Sequence, residues 1–290
     1  MSGYEKINIQ WFPGHMTKAK RMIEENMKLV DGVCEVIDAR IPLSSRNPDI
    51  DRLAEGKPRL VVLNRADQAD PEATKLWRAY LKGKGLFVLE TDSKTGKGIN
   101  QFPNAVRTAL KDKIAEYQAK GQGSRPLRMM VVGIPNVGKS TFINKVAKRK
   151  AAIAGDRPGV TRGKQWIHID ETLDLLDTPG ILWPKFDDEN VGQVLAITGA
   201  VKDDILDRET LAANFFVRLR DHYPMVIENR YKFQPDPEAL GYELLETAAR
   251  KRGFLISGGE LDTERMAAIL LDEYRGGKLG RLTLEYPPED

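Results

Sequence analysis

The sequence contains Gly133-Ile134-Pro135-Asn136-Val137-Gly138-Lys139-Ser140, directly after a mostly apolar run at 127–132. This G-x-x-x-x-G-K-S pattern lies between a predicted strand and a helical pattern, which is the setting of a phosphate-binding loop. Its two glycines let successive backbone N–H groups point at phosphate oxygens, and the following helix directs its positive end to the same place. A glycine turn that only joins a strand to a helix is the alternative. The pattern predicts a site for nucleotide phosphates.

Two side chains of this phosphate loop have expected roles in binding a nucleotide. Lys139 would reach the β- and γ-phosphates, and the Ser140 hydroxyl would ligate Mg²⁺. The nucleotide-binding residues predicted here are Asn136, Val137, Gly138, Lys139, Ser140 and Thr141.

Strand-like and helical patterns alternate on both sides of the phosphate loop. The predicted strands before it cover 33–38, 59–64 and 86–90, and the predicted helices lie near 17–30, 47–55, 71–82 and 99–118. Unbroken apolar runs that alternate with helices indicate a parallel sheet covered on both faces. After the loop, 165–169 and 173–176 predict a short antiparallel pair. We expect an α/β domain over residues 1–185.

Beyond residue 186 the patterns are mainly helical, and we expect an all-helical domain over 186–290. Its basic candidates for RNA contact are Arg250, Lys251, Arg252, Arg275, Lys278 and Arg281. Such side chains can neutralise RNA phosphates, and each contact adds salt-dependent affinity. Because charge runs are usually solvated faces, charge alone leaves RNA binding open.

The composition of the 290 residues describes an ordinary globular protein, with 41% hydrophobic and 30% charged residues. A net charge of +3 gives no global argument for nucleic acid. The single cysteine, Cys34, excludes an internal disulfide and a cysteine-rich zinc site, which fits a reducing compartment. No apolar run approaches the ~20 residues of a membrane span. We expect a cytoplasmic protein.

Asn64-Arg65-Ala66-Asp67 ends the second predicted strand, where loops of a parallel sheet form ligand sites. The Asp67 carboxylate could accept hydrogen bonds from the ring N–H and the exocyclic amine of guanine, whereas adenine offers neither in that geometry. Alone, N-x-x-D is explained as well by a helix cap or a turn. Residues 91–98, with Ser93 and Lys94, form a polar loop able to close over a base.

Asp177-Thr178-Pro179-Gly180 ends the last predicted strand. An aspartate there can hold Mg²⁺ through a water molecule, and the Gly180 N–H can reach a γ-phosphate. Thr161 lies in a turn-rich loop, where its hydroxyl could complete the magnesium shell when a triphosphate is bound.

Together these motifs resemble those of the GTPases. By that resemblance Asn64 and Asp67 read guanine, Ser93 and the Lys94 backbone close on it, and Thr161 and 177–180 are the two switches. In the usual order the phosphate loop comes first and the base-reading motif fourth. Here the order is four, five, one, two, three, so we expect a circularly permuted domain. The parallel sheet is unchanged if 99–126 join the old ends and a new cut is made elsewhere.

Four segments resemble the bacterial ribosome biogenesis GTPase A family, namely Trp11-Phe12-Pro13-Gly14-His15-Met16, Asp38-Ala39-Arg40-Ile41-Pro42, the phosphate loop and Asp177-Thr178-Pro179-Gly180-Ile181-Leu182-Trp183-Pro184. The resemblance implies a GTPase with GTP or GDP and Mg²⁺ that acts in late assembly of the large (50S) ribosomal subunit and contacts its rRNA. We also expect a monomer that binds neither membrane nor DNA. Arg65 stands where the family has lysine, which leaves open a contact with the phosphate loop.

The group that activates water is not the usual one. Most GTPases place a glutamine directly after the glycine of the second switch, and here that position is Ile181. The permuted order brings 11–15 near this switch, so His15 could orient or deprotonate water, as the family is thought to do; simple packing is the alternative. By the same resemblance Asn136 could hold a K⁺ ion between the phosphates, or be a plain loop asparagine.

Two rival functions remain open at this point. A metabolic P-loop kinase would need a pocket for an acceptor and would typically prefer adenine. A GTPase that acts on transfer RNA or in stress signalling would share the same nucleotide motifs.

Overall fold

The structure, a computed structural model, describes residues 15–148, 165–182, 188–201 and 207–288. By its internal contacts the described chain divides into two compact units. One contains the described residues up to 182 together with 285–288, and the other contains those from 188 to Leu284. The boundary between 185 and 186 stays a prediction. No helix among the described residues is long and apolar enough to cross a membrane.

The first unit is built on a mostly parallel sheet. Its described strands are β1 (Gly32–Asp38), β2 (Arg59–Asn64), β3 (Phe87–Thr91), β4 (Leu127–Val132), β5 (Gln165–Asp170) and β6 (Leu173–Asp177). Its described helices are α1 (His15–Met27), α2 (Pro48–Leu53), α3 (Pro71–Gly83), α4 (Phe102–Ala109), α5 (Lys111–Ala119) and α6 (Lys139–Val146). The strand order is β3-β2-β1-β4-β6-β5, and of these pairs only β5 with β6 is antiparallel. The predicted α/β class is confirmed.

The sheet is buried because apolar side chains of neighbouring strands meet those of the helices. One cluster joins Ile37 of β1 and Leu63 of β2 to Leu81 of α3. Another joins Val33 of β1 to Ile23 of α1 and to side chains of α2, β4 and β6. β1 contributes to both clusters and is buried along its whole length, as expected for a central parallel strand.

The helix predicted over 99–118 is wrong in one respect, because the chain breaks it at Leu110. A 3₁₀ turn at Ile99–Gln101 precedes α4, and Leu110, with φ −104° and ψ 19°, separates α4 from α5. The Leu110 side chain is fully buried, and its Cδ2 lies 3.0 Å from where a Cβ on Gly32 would be. Packing against the start of β1 therefore overrides helix continuation.

The parallel strands β1, β2, β3, β4 and β6 end at a common edge of the sheet. The chain order reverses between β1 and β4, since β2 and β3 lie on one side of this pair and β6 on the other. In open α/β sheets ligands bind outside the carboxyl ends of the strands at such a reversal. The phosphate loop follows β4 at this point.

The second unit is helical, as predicted, with α7 (Glu189–Ile197), α8 (Arg208–His222), α9 (Pro224–Tyr231), α10 (Gly241–Arg252) and α11 (Thr263–Arg275). α8 contacts each of the other four helices and is buried along most of its length. Its start is fixed by Asp207, whose side chain accepts hydrogen bonds from the backbone N–H groups of Glu209 and Thr210.

Candidate nucleotide site

The phosphate loop requires glycine at Gly133 and Gly138, because its backbone turns sharply and passes close to other groups. Asn136 and Gly138 have φ angles of 63° and 87°. A Cβ on Gly138 would lie 2.5 Å from Asn64 Nδ2, and one on Gly133 would lie 2.5 Å from the Val36 carbonyl oxygen. The loop leads directly into α6, whose first N–H groups have no partner within the helix. This arrangement favours an anion such as a phosphate group.

The motif at 64–67, predicted to read the base, contacts the phosphate loop through Asn64. Its Nδ2 donates to the Val137 carbonyl oxygen at 2.8 Å. Its Oδ1 accepts hydrogen bonds from Ser93 Oγ at 2.7 Å and from Thr91 Oγ1 at 3.2 Å. Buried Asn64 therefore holds together the loops that follow β2, β3 and β4. The structure brings together three motifs that are widely separated along the chain.

Arg65 makes the contact with the phosphate loop that the sequence left open. Its Nη2 donates to the Asn136 carbonyl oxygen at 2.9 Å, and its Nε lies 3.6 Å from Asp38 Oδ2. Arg65 has a φ of 59°, which is uncommon for a residue with a side chain. The Arg65 guanidinium therefore contacts the phosphate loop through Nη2.

The loop after β3 is closed on itself by Asp92. The Asp92 Oδ1 accepts hydrogen bonds from the backbone N–H groups of Lys94 at 2.8 Å and Thr95 at 3.1 Å. Burial opposes ionisation of this carboxyl, but hydrogen bonds from Thr95 and Lys94 hold its pKa below the usual value. Ser93 is buried, whereas Lys94 and Asp67 are exposed to solvent. The Asp67 carboxylate is therefore accessible to a base.

Lys139 and Asp177 form a buried ion pair at the phosphate end of the site. Burial lowers the pKa of Lys139, and the attraction of Asp177 opposes this shift. The second carboxylate oxygen, Oδ2, is buried and has no hydrogen-bond partner among the described residues. Such an oxygen, with the Ser140 hydroxyl on the first turn of α6, is a donor set of the kind that Mg²⁺ prefers. The residues present fit this ion.

The described residues 177–182, which contain the predicted second switch, contact the strand and the loop that precede α6. The Thr178 hydroxyl donates to the Val131 carbonyl oxygen at 2.8 Å, and the Ile181 N–H donates to the Gly133 carbonyl oxygen at 3.3 Å. A Cβ on Gly180 would lie 3.0 Å from the Pro135 nitrogen. Ile181 is only 2% exposed and packs in the core cluster with Val33, so its side chain cannot orient water.

Two predicted site residues fall outside what the structure describes. His15 begins α1, but its side chain lies outside the described residues, and so does the whole of Thr161. Their roles stay predictions. The other two histidines are exposed, and His168 Nδ1 lies 3.0 Å from Asp174 Oδ1.

The six basic candidates for RNA contact divide into two groups. Arg275 donates to the Ala196 carbonyl oxygen at 2.8 Å and the Ile197 carbonyl oxygen at 3.0 Å, so it caps the end of α7. Arg252 lies over the Tyr231 ring, 5.4 Å from its centroid. These two arginines hold the helical unit together. The exposed members are Arg250, Lys251, Lys278 and Arg281.

Sequence reasoning assigned no role to Asp38 and Arg40, which form a buried pair next to this site. Arg40 is 0% exposed, and its Nε and Nη2 donate to Asp38 Oδ1 at 3.0 Å and Oδ2 at 2.8 Å. Burial opposes ionisation of Asp38, but the Arg40 guanidinium and then that of Arg65 lower its pKa. The sequence did contain a signal for this pair, because Asp38 ends an apolar strand and Arg40 follows it by two residues.

Comparison with known proteins agrees with this geometry. A family model described as 50S ribosome-binding GTPase matches residues 128–236. Ribosome biogenesis GTPase A of Bacillus cereus is 49% identical over 281 residues, which cover 97% of this chain and 95% of that protein. The chain belongs to the ribosome biogenesis GTPase A family. It is therefore a GTPase that hydrolyses GTP, as the sequence predicted.

Further relatives extend along the same length. Ribosome biogenesis GTPase A of Priestia megaterium is 48% identical over 284 residues, 98% of either chain. The structure of GNP-bound YlqF from T. maritima has a TM-score of 0.64 and 29% identity, and it covers 94% of this chain and 100% of that one. The family and its fold therefore include both units, and the circular permutation is consistent with the family.

Proposed function

We propose that this ribosome biogenesis GTPase acts in the late maturation of the large (50S) ribosomal subunit. It binds the immature particle with GTP, hydrolyses GTP on the correctly matured particle, and then leaves. Buried Ile181 carries this proposal, because it occupies the position at which other GTPases orient water. Hydrolysis then depends on a group from elsewhere, and a ribosomal particle is a natural trigger. The match to a model described as 50S ribosome-binding GTPase supports the choice of subunit.

At the base end of the site, Asp67 is proposed to read guanine. Its exposed carboxylate accepts from the N–H and amine groups of the base, while Ser93 and the Lys94 backbone close over it. Asn64 and Arg65 connect the proposed base site to the phosphate loop through hydrogen bonds to the Val137 and Asn136 carbonyl oxygens.

Lys139 and Ser140, with Asn136, Val137, Gly138 and Thr141, are proposed to bind the phosphates, and Gly180 offers its N–H to the γ-phosphate. The Mg²⁺ ion would be held by Ser140, by Thr161, and through water by Asp177. When bound, this ion neutralises charge that develops on the phosphate oxygens. Asn136 is the proposed ligand of a K⁺ ion. Lys139 must exchange its partner Asp177 for a phosphate when the nucleotide binds.

His15 is proposed to orient or deprotonate the attacking water, since histidine is a common general base in catalysis. Replacement of His15 by alanine should abolish hydrolysis and leave GDP affinity unchanged. His168, which is exposed and lies beside Asp174, is the control position and should tolerate alanine.

The exposed side chains of Arg250, Lys251, Lys278 and Arg281 are proposed to contact rRNA phosphates. Binding should then weaken with rising salt by about one counterion for each phosphate contact. We further propose a monomer in the cytoplasm with no membrane or DNA partner.

The first experiment is sedimentation of the full chain with large-subunit precursors, with GDP or a non-hydrolysable GTP analogue. We expect co-sedimentation with the analogue, release with GDP, and faster GTP hydrolysis when mature particles are added. Equal hydrolysis with and without particles would contradict the proposal. Preferential binding to transfer RNA would favour the rival GTPase function.

A base-switch variant tests the reading of guanine. Asp67→Asn keeps one acceptor and replaces the other by an amide N–H, which suits the C2 carbonyl of xanthine and not the C2 amine of guanine, so preference should shift from GTP to XTP. Asp70→Asn is the matched control, because Asp70 caps α3 by accepting from Glu72 and Ala73 N–H groups, and asparagine caps equally well. An unchanged GTP preference in Asp67→Asn would exclude Asp67 as the base reader.

A further inference from the structure

The buried pair of Asp38 and Arg40 lies at the carboxyl end of β1, beside the base-reading motif. We propose that this pair is a positioning element: Arg40 fixes Asp38, Asp38 orients Arg65, and Arg65 aligns the phosphate loop with the guanine site. The inference rests on the proposed assignment of residues 64–67 to guanine. Neither Asp38 nor Arg40 needs to touch the nucleotide in this role.

Arg40 fixes the Asp38 carboxylate at both oxygens. The Arg40 backbone N–H also donates to Oδ1 at 3.0 Å, so Asp38 accepts three hydrogen bonds from one residue. Two parallel bonds between a guanidinium and a carboxylate set the orientation of both groups. The Asp38 carboxylate is therefore held in one orientation, which lets it act on a third group.

Asp38 presents this fixed carboxylate to a second guanidinium. Arg65 Nε lies 3.6 Å from Oδ2, the same oxygen that accepts from Arg40 Nη2. At its other end, Arg65 Nη2 donates to the Asn136 carbonyl oxygen at 2.9 Å. The Arg65 side chain therefore spans the distance from β1 to the phosphate loop.

The left-handed backbone of Arg65 explains why its side chain needs groups that orient it. A left-handed backbone, with a φ of 59° at Arg65, is unfavourable for a residue with a side chain, so surrounding contacts must hold it there. Unlike lysine, arginine has a planar group whose nitrogens point in fixed directions. The Asp38 charge near Nε and the hydrogen bond from Nη2 to Asn136 together hold that plane, and the loss of the Asp38 charge would allow it to turn away from Asn136.

Neutralising the carboxylate tests the proposal. For Asp38→Asn we expect affinity for fluorescent GDP and GTP to fall roughly tenfold, equivalent to about 1.4 kcal/mol. Glu35→Gln is the matched control, since Glu35 lies on the same strand, is equally buried and pairs with Arg46. The control should keep wild-type affinity. Unchanged affinity in Asp38→Asn, or an equal loss in Glu35→Gln, would overturn the inference.

A double-mutant cycle separates positioning from general support of the fold. If Asp38 acts through Arg65, then Asp38→Asn should cause no further loss of GDP affinity in an Arg65→Ala background. A second full tenfold loss there would contradict the mechanism. Arg65→Lys, which keeps one cation near Asp38, should restore part of the affinity lost in Arg65→Ala.

Two further measurements keep the outcome clear. Should Asp38→Asn fail to fold with Arg40 unpaired, Asp38→Asn with Arg40→Gln replaces the ion pair by two neutral amides, and the same loss of GDP affinity is expected. A folded double variant with wild-type affinity would also overturn the inference. Absence of GDP binding by the wild-type chain would refute the guanine site itself rather than the role of Asp38.

Discussion

The two ends of β1 each have a buried carboxylate nearby, but the partners differ. At the amino end, Asp31 accepts hydrogen bonds from the Tyr117 hydroxyl and, at 2.8 Å, from the Arg128 backbone N–H. At the carboxyl end, Asp38 is bound by Arg40 and faces Arg65. Neutral donors close the start of the strand, whereas cations connect its end to loops of the ligand site. We call the end near Asp31 the structural end of β1, and the end near Asp38, which faces the proposed nucleotide site, its functional end.

Glu35, in the middle of β1, shows what decides whether a buried acid is ionised. It is as buried as Asp38, but Arg46 contacts only its Oε2, at 3.2 Å, and Oε1 has no hydrogen-bond partner among the described residues. Burial outweighs the arginines and raises the pKa of Glu35, while the pKa of Asp38 is lowered. The geometry of pairing, rather than burial alone, sets the direction.

The largest effect is expected for Arg40→Ala, which breaks the pair at the functional end. The variant leaves the Asp38 charge buried without its main partner and should lose about 3–5 kcal/mol of unfolding free energy. Urea denaturation followed by circular dichroism measures the loss. Arg52→Ala is the control, because Arg52 is exposed and its pair with Glu24 at 3.5 Å contributes about 0–1 kcal/mol. Equal losses in the two variants would remove the distinction between this pair and a surface one.

A second prediction concerns the contact between the loop after β1 and Glu285, near the end of the chain. The Glu285 carboxylate accepts hydrogen bonds from the Leu43 N–H at 2.8 Å and the Ser44 N–H at 3.0 Å, and its carbonyl oxygen accepts from Trp77 Nε1 at 2.9 Å. Glu285→Ala should lower the unfolding free energy by about 2–3 kcal/mol, since hydrogen bonds to a charged group are lost. Glu285→Gln, which keeps one acceptor, should lose less. A wild-type melting curve for Glu285→Ala would show that the loop after β1 does not need this contact.

Near the carboxyl end of β1, the strands and the sequence motifs could be predicted from the sequence. The run at 59–64 predicted β2 with both of its ends, because a strand buried in a parallel sheet is apolar throughout and is bounded by turn residues. The motifs around Asn64, Lys139 and Asp177 could be predicted because their chemistry requires particular residue types at fixed spacings. Lys139 and Asp177 do lie together.

Contacts that depend on the folded arrangement could not be predicted. Nothing local to Glu285 indicates that it binds a loop 242 positions earlier in the chain. Likewise the pattern at 99–118 gives no sign of the break at Leu110, whose buried side chain lies near Gly32 in the folded chain. The Asp38 and Arg40 pair was present as a motif, but its link to Arg65 requires the register of β1 beside β2.

A third, smaller effect sharpens the comparison at the structural end. Tyr117→Phe removes the hydroxyl that donates a hydrogen bond to Asp31. It keeps the aromatic ring, whose centroid lies 4.7 Å from Arg125 Cζ. Burial and then the bond to Asp31 raise the pKa of Tyr117 to about 12, so the hydroxyl stays protonated as a donor. We expect a loss of about 1–2 kcal/mol in unfolding free energy and no change in GDP affinity. Weaker GDP binding would show that both ends of β1 serve the ligand site.

The smallest net effect is expected for Glu35→Gln, within about 1 kcal/mol of wild type at neutral pH, because a neutral amide suits the buried site. Its pH dependence is the sharper test. The folded-state pKa of Glu35 lies above 4.5, so its contribution is present below pH 4.5 and is lost as the pH rises through the raised value. The folded-state pKa of Asp38 lies below 3.8, so its contribution is present above pH 3.8 and is lost as the pH falls.

The stability of Glu35→Gln relative to wild type should therefore increase with pH, whereas that of Asp38→Asn should decrease. Urea denaturation of the three proteins at several pH values from 2 to 8 measures both trends, the Asp38 trend at the acid end of this range and the Glu35 trend above pH 4.5. Parallel trends in the two variants would mean that Glu35 is ionised in the folded protein in the same way as Asp38. Burial would then not distinguish the middle of β1 from its end, and the single contact from Arg46 would be as effective as the two-bond contact from Arg40.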